Sequence, residues 1–103
     1  MIETLDKIRK VIIAYESGKY ISQENLIKMQ RRLNTSMYHL TIFNVEAFQK
    51  WNSIVYKSEK SNAAAKVEAD EKIPELRMTR KILETCRGVS IAINSELQIM
   101  KND

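Results

Sequence analysis

Glycine and proline are almost absent from this chain: Gly18, Gly88 and Pro74 are the only three in 103 residues. A many-stranded β fold needs a turn residue every eight to twelve positions or so, so this scarcity excludes that class and leaves helices. A single cysteine, Cys86, excludes an internal disulfide. Its place in an apolar helical stripe, away from any second thiol, points to a reducing compartment. A single histidine, His39, offers Cys86 no further soft ligand, and no Glu-x-x-His spacing occurs. No metal site is expected from such a set. No run approaches the 18 or so apolar residues of a membrane span, and the opening MIETLDKIRK alternates charge with apolar residues where a signal peptide would carry an apolar core. Catalytic groupings are missing too. A stripe thiol is usually inert, and neither an acid-base pair nor a phosphate-cradling glycine loop is present, so the reading is a non-enzyme with no cofactor.

What remains is rich in apolar and charged residues, at 44% and 29%. That balance argues for a folded chain, since disorder needs low hydrophobicity. The length allows one domain, over residues 1–103, and leaves a lone copy marginal in core size. The expected fold is all-α: a short N-terminal helix plus a long antiparallel helical hairpin, assembled into an oligomer.

The first helix is expected over about residues 2–17, from Leu5, Ile8, Ile12 and Tyr15 at helical spacing, with Glu3 and Asp6 near its positive end and Gly18 as its cap. Ser22 is a good N-cap for a second helix, with Ile21 and Leu26 spaced as a hydrophobic staple. Its apolar positions, Leu26, Met29, Leu33, Met37, Leu40, Val45 or Ala47, Phe48, Trp51 and Val55, recur at three or four. They carry the helix to about residue 70, with residues 34–44, which include Thr35, Ser36 and Thr41, as the place where it could kink. Residues 58–75 lose large apolar side chains but stay compatible with a helix. Pro74 biases Ile73 away from the α region and suits the first position of a new helix, so the turn is expected between Asp70 and Pro74. A third helix then runs over about 74–101 on Leu76, Ile82, Leu83, Cys86, Val89, Ile93, Leu97 and Met100. Met78, Ile91 and Ile99 widen its stripe, and Gly88 with Ala92 offers a face for close helix approach.

The apolar excess predicts a homo-oligomer whose contacts are Phe48, Trp51, Val55, Ile82, Cys86, Val89, Ile93 and Leu97. The charge is uneven as well. Residues 25–66 hold Lys28, Arg31, Arg32, Lys50, Lys57, Lys60 and Lys66 against only Glu46 and Glu59. If the second and third helices pair about residues 70–74, Lys50, Lys57 and Lys60 approach Arg77, Arg80 and Lys81 and form a strip for phosphates. Tyr56, off the apolar stripe, is the candidate for stacking on a base. A plain solvated face is the alternative for these bases, as core is for Phe48 and Trp51. The acids Glu68, Asp70, Glu71 and Glu75 read as a solvated helix end.

Tyr38, Phe48, Trp51 and Tyr56, the stretch Ala63-Ala64-Ala65-Lys66-Val67-Glu68-Ala69-Asp70, then Pro74-Glu75-Leu76-Arg77 and Ile93-Asn94-Ser95-Glu96-Leu97, make residues 38–101 resemble small bacteriophage recombination mediators of the UvsY type. That resemblance implies a ring-forming helical protein that binds single-stranded DNA, has no enzymatic activity, and helps a recombinase load where single-strand-binding protein already sits. Recombinase and single-strand-binding protein would then be partners, and the location the cytoplasm, that of the host for a phage protein. Trp51-Asn52-Ser53 only partly matches the Trp-x-Gly turn of small secreted helical hairpins, because serine replaces glycine and Trp51 sits inside a helical pattern. The alternative function is a helical phage assembly component or a host-directed protein-interaction module.

Overall fold

The computed structural model describes residues 1–18 and 22–102, with nothing said of the Asn102 side chain. Among the described residues there are four helices and no strand: α1 (Ile2–Ser17), α2 (Gln23–Lys57), α3 (Asn62–Lys72) and α4 (Glu75–Asn102). Helix α1 ends as its sequence dictates. Gly18 adopts φ 66°, the left-handed conformation a side chain would disfavour, and its N–H donates to the Tyr15 carbonyl at 3.3 Å. Ser22 caps α2, its Oγ accepting from the Asn25 N–H at 3.1 Å. Leu26 is buried, whereas its expected staple partner Ile21 lies outside the described residues.

Helix α2 is unbroken through residues 34–44. Thr35 and Thr41 return their hydroxyls to the carbonyls of Arg31 and Met37, at 3.0 and 2.8 Å, and so sit in the helix without interrupting it. The break comes later, and this corrects the expected helix to about residue 70. α2 stops at Lys57, Ser58 is extended, and Ser61 caps α3 by accepting from the Ala64 N–H at 3.4 Å. Ser58 Oγ accepts from the Lys60 N–H at 3.2 Å, which closes the turn. Two serines three apart supply their own backbone partners, an alternative to continued helix that outweighs the helical preference of the alanines beyond.

The chain therefore reverses at residues 58–61 rather than at 70–74. Three side-chain bonds record the direction: Trp51 to Asp70, Asn44 to Thr79 and Gln30 to Ser90. As the position on α2 falls, its partner's position rises, so α3 and α4 together form one return arm antiparallel to α2. Pro74 interrupts that arm without reversing it. It stands just before α4, where its missing amide costs nothing, and the Met78 N–H donates to its carbonyl at 3.2 Å.

Helix α1 lies along the first half of α2 and reaches α4 through the Tyr15 hydroxyl, which donates to Glu96 Oε1 at 3.0 Å. Burial, together with the Glu96 carboxylate, pushes the Tyr15 phenol above its ordinary 10.0. The two ends of the molecule differ as a result. Where three helices meet, Ile8, Val11, Leu26, Leu33, Leu40, Cys86, Ile93 and Leu97 form the core. Where α2 meets only the return arm, the buried residues of α3 are alanines, Ala65 and Ala69. The molecule measures 61 × 25 × 19 Å, and its radius of gyration of 17.7 Å exceeds the roughly 13 Å of a compact chain this size.

Gly88 does not serve close helix packing within the chain. A Cβ built there meets nothing within 4 Å. Gly88→Ala should therefore stabilise the protein by up to about 1 kcal/mol, the helix-propensity difference, read as a higher midpoint in urea unfolding.

Candidate nucleic-acid interface

Several of the expected contacts between subunits are spent inside the single chain. Cys86 and Ile93 are fully buried and Leu97 nearly so, in the core that residues of α1, α2 and α4 form together. This corrects their assignment to an oligomer interface. Burial also pushes the Cys86 thiol up, away from the reactive thiolate. Ile82 and Val89 are half-buried against the same core. Trp51 donates its indole N–H to Asp70 Oδ1 at 2.8 Å and so ties α2 to α3. Its ring stacks on Phe48, with centroids 6.1 Å apart and planes at 18°. Phe48 keeps 42% of its surface exposed, and Val55 is half-buried.

The basic residues divide. Lys60, in the turn, reaches Glu68 at 3.1 Å, and Lys72 reaches the other oxygen of the same carboxylate at 2.9 Å. Arg77 lies 3.5 Å from Asp70. These acids, expected to be idle, are the clamp that holds the hairpin tip. Lys72 and then Lys60 hold the Glu68 carboxyl below its ordinary 4.5. A lowered carboxylate contributes stability above its unfolded pKa and loses it as pH falls through the folded one. The tip should therefore loosen selectively below pH 4.5, seen as faster amide exchange at Ala65 and Ala69 while Leu33 and Ile93 stay protected.

Lys50, Lys57, Arg80 and Lys81 are exposed and have no ion-pair partner among the described residues. They do not form one strip. At roughly 100° per residue, Lys28, Arg32, His39, Lys50 and Lys57 share an arc of roughly 40° on α2. Asn44, which binds Thr79 and the Leu76 carbonyl of α4, lies roughly 140° round from that arc. Arg80 and Lys81 thus belong to a different side of the molecule.

The arc on α2 is the longer feature. From Lys28 to Lys57 it runs about 44 Å along an uninterrupted helix, with Glu46 as its one acid. Helix α1 adds to it. A groove of about 800 Å³ between α1 and α2 is lined by Lys7, Lys10, Lys28, Arg31 and Arg32, with Val11, Ala14 and Met29 among its apolar lining and no acid. Glu3, Asp6 and Glu24 pair with Lys7, Lys10 and Lys28 along their own helices, whereas Arg31 and Arg32 have no carboxylate partner among the described residues. Beside this track stand two open rings: Tyr56, 87% exposed, and Tyr38, 66% exposed, in edge contact with His39 at 5.8 Å.

Sequence reasoning missed the share of α1 in this surface. The signal was there: Lys7 and Lys10 mirror Arg32 and Lys28 about the turn after Gly18, so an α1–α2 hairpin brings them to one level. Among the described residues no group of three potential metal ligands occurs, and no helix is long and apolar enough to cross a membrane. A scan against protein-family models, a search of curated proteins and a search of solved structures each found no match to the chain.

Proposed function

We propose that this protein is a non-catalytic, self-associating helical protein that holds single-stranded nucleic acid along the basic face of α2. The observation that carries the reading is the track itself: the cations of the α1–α2 groove, Arg31 and Arg32 without carboxylate partners among the described residues and Lys7, Lys10 and Lys28 paired only along their own helices, lead into Lys50 and Lys57 on α2, with Glu46 the one acid of α2 between Lys28 and Lys57. Such a row neutralises phosphates and releases their counterions without reading sequence. Tyr56, beside Lys57, gives the track an exposed ring on which an unpaired base stacks, a contact that a duplex does not offer. Lys60, Arg77, Arg80 and Lys81 are secondary on this reading, the first two through their carboxylates and the others through their side of the molecule. Assistance to a recombinase on DNA coated with single-strand-binding protein, as the UvsY-type resemblance implies, is the cellular role that goes with it.

Fluorescence anisotropy with a labelled oligonucleotide tests the proposal. Contact with four to seven phosphates gives a single-strand salt slope of about −3 to −5, so affinity should fall by about 60- to 1,000-fold between about 50 and 200 mM salt. Absence of binding at both salts would refute it.

A further inference from the structure

The groove between α1 and α2 holds more than cations. Its volume of about 800 Å³ is that of a small-molecule site. The part of its lining that is buried is small and mostly apolar: Val11, Met29 and Ser36 are 5%, 8% and 4% exposed, with Ala14 half-buried beside them. The part that is exposed is cationic, with Lys7 and Lys10 from α1 and Lys28, Arg31 and Arg32 from α2. Charge from both helices thus rims an apolar bed, and no acid among the described residues lines it.

Ser36 is the odd member of that bed. It is more than nine-tenths buried, yet its hydroxyl has no hydrogen-bond partner among the described residues, whereas Thr35 beside it returns its own hydroxyl to the Arg31 carbonyl. A buried hydroxyl left without a partner is costly unless a ligand or water supplies one. Asn25, half-buried in the same lining, adds a side-chain amide.

We infer that the groove seats one base of the bound strand, with its face on Val11, Ala14 and Met29, an edge on the Ser36 hydroxyl, and the neighbouring phosphates among the rim cations. The inference rests on the strand binding just proposed and gives it a second base contact besides Tyr56. Position supports it. Lys28, Met29, Arg32 and Ser36 share an arc of roughly 100° on α2, and Lys50 and Lys57 fall within that arc, so a strand on the track crosses the groove. Chemistry supports it as well. A fatty acid carries its charge at one end only and would set methylenes against Ser36 and Asn25, which leaves both polar groups unpaired. A bare phosphate uses the rim and leaves the bed to water. A nucleotide uses both, because its base has apolar faces and a hydrogen-bonding edge.

Methionine methyl resonances make the test local. The chain has five methionines, of which only Met29 lines the groove. Deoxyadenosine monophosphate should move the Met29 methyl upfield, the ring-current effect of a base lying over it, and leave Met78 unmoved. Deoxyribose 5-phosphate, the same phosphate and sugar without the base, should bind roughly tenfold more weakly or worse and cause no such shift. Ser36→Ala keeps the bed and the rim, and should weaken nucleotide binding by about two- to tenfold. A Met29 methyl unmoved at any nucleotide concentration, an equal response to deoxyribose 5-phosphate or to oligoglutamate, or unchanged affinity in Ser36→Ala would overturn the inference. Anisotropy on the same samples keeps the two ideas apart. An oligonucleotide that binds while Met29 stays unmoved removes the seat alone; a nucleotide that moves Met29 while no strand binds removes the track and leaves a mononucleotide site.

Discussion

Leu40→Ala should destabilise the protein by about 2–5 kcal/mol, the range for a leucine removed from a packed core. Leu40 is fully buried and belongs to the cluster that joins α1, α2 and α4. The loss combines transfer of three buried carbons with a cavity that three converging helices cannot easily close. A domain of this size has roughly 5–15 kcal/mol in total, so the variant should unfold at a much lower urea midpoint. Ile13→Ala, on the solvent side of α1 with 57% exposure, should change stability by less than about 0.5 kcal/mol. Equal effects at the two positions would contradict the placement of the core.

Joint reversal of Arg32 and Lys57 to glutamate should lower single-strand affinity by at least tenfold at about 50 mM salt and flatten the salt slope by about 1.4, the share of two phosphates. Both side chains are exposed and neither has an ion-pair partner among the described residues, so the fold should survive. Arg80→Glu with Lys81→Glu makes the same change in net charge on α4. It should have the smaller effect, because it acts only through the general field of the molecule. If the α4 pair proves as damaging as the α2 pair, the strand does not follow α2.

The helix limits that were legible in the sequence are those marked by a residue with one strong preference. Gly18 ended α1 and Pro74 preceded α4 through backbone properties, and Ser22 opened α2 through its side-chain oxygen just ahead of an apolar helical run. The reversal at 58–61 was not legible, because serine also occurs within helices, as Ser36 does in α2, and the alanines beyond are good helix formers. What decides it is tertiary: Ala65 and Ala69 let α3 lie close on α2, and Trp51 and Asp70 bind across the gap. The same limit explains the misplaced interface. The stripe of α4 looked wider than one partner covers, but Cys86, Ile93 and Leu97 are taken up in the core that α1, α2 and α4 share within one chain.

The basic surface was half visible. Local counting located the excess of cations in residues 25–66, and the seven-residue spacing of Lys50 and Lys57 placed those two on one face. Joining them to Arg32 and Lys28 required knowing that α2 is unbroken between, and adding Lys7 and Lys10 required knowing where α1 packs. Grouping Lys60 and Arg77 with them failed because nearby carboxylates claim both. A count of charges does not reveal which are already partnered.

Light scattering of the protein alone and mixed with a single-stranded oligonucleotide tests the central claim most directly. The account predicts a mass of at least twice 12.0 kDa without the strand, and a further rise by the mass of bound oligonucleotide that disappears in high salt. A mass of 12.0 kDa in both samples would contradict it.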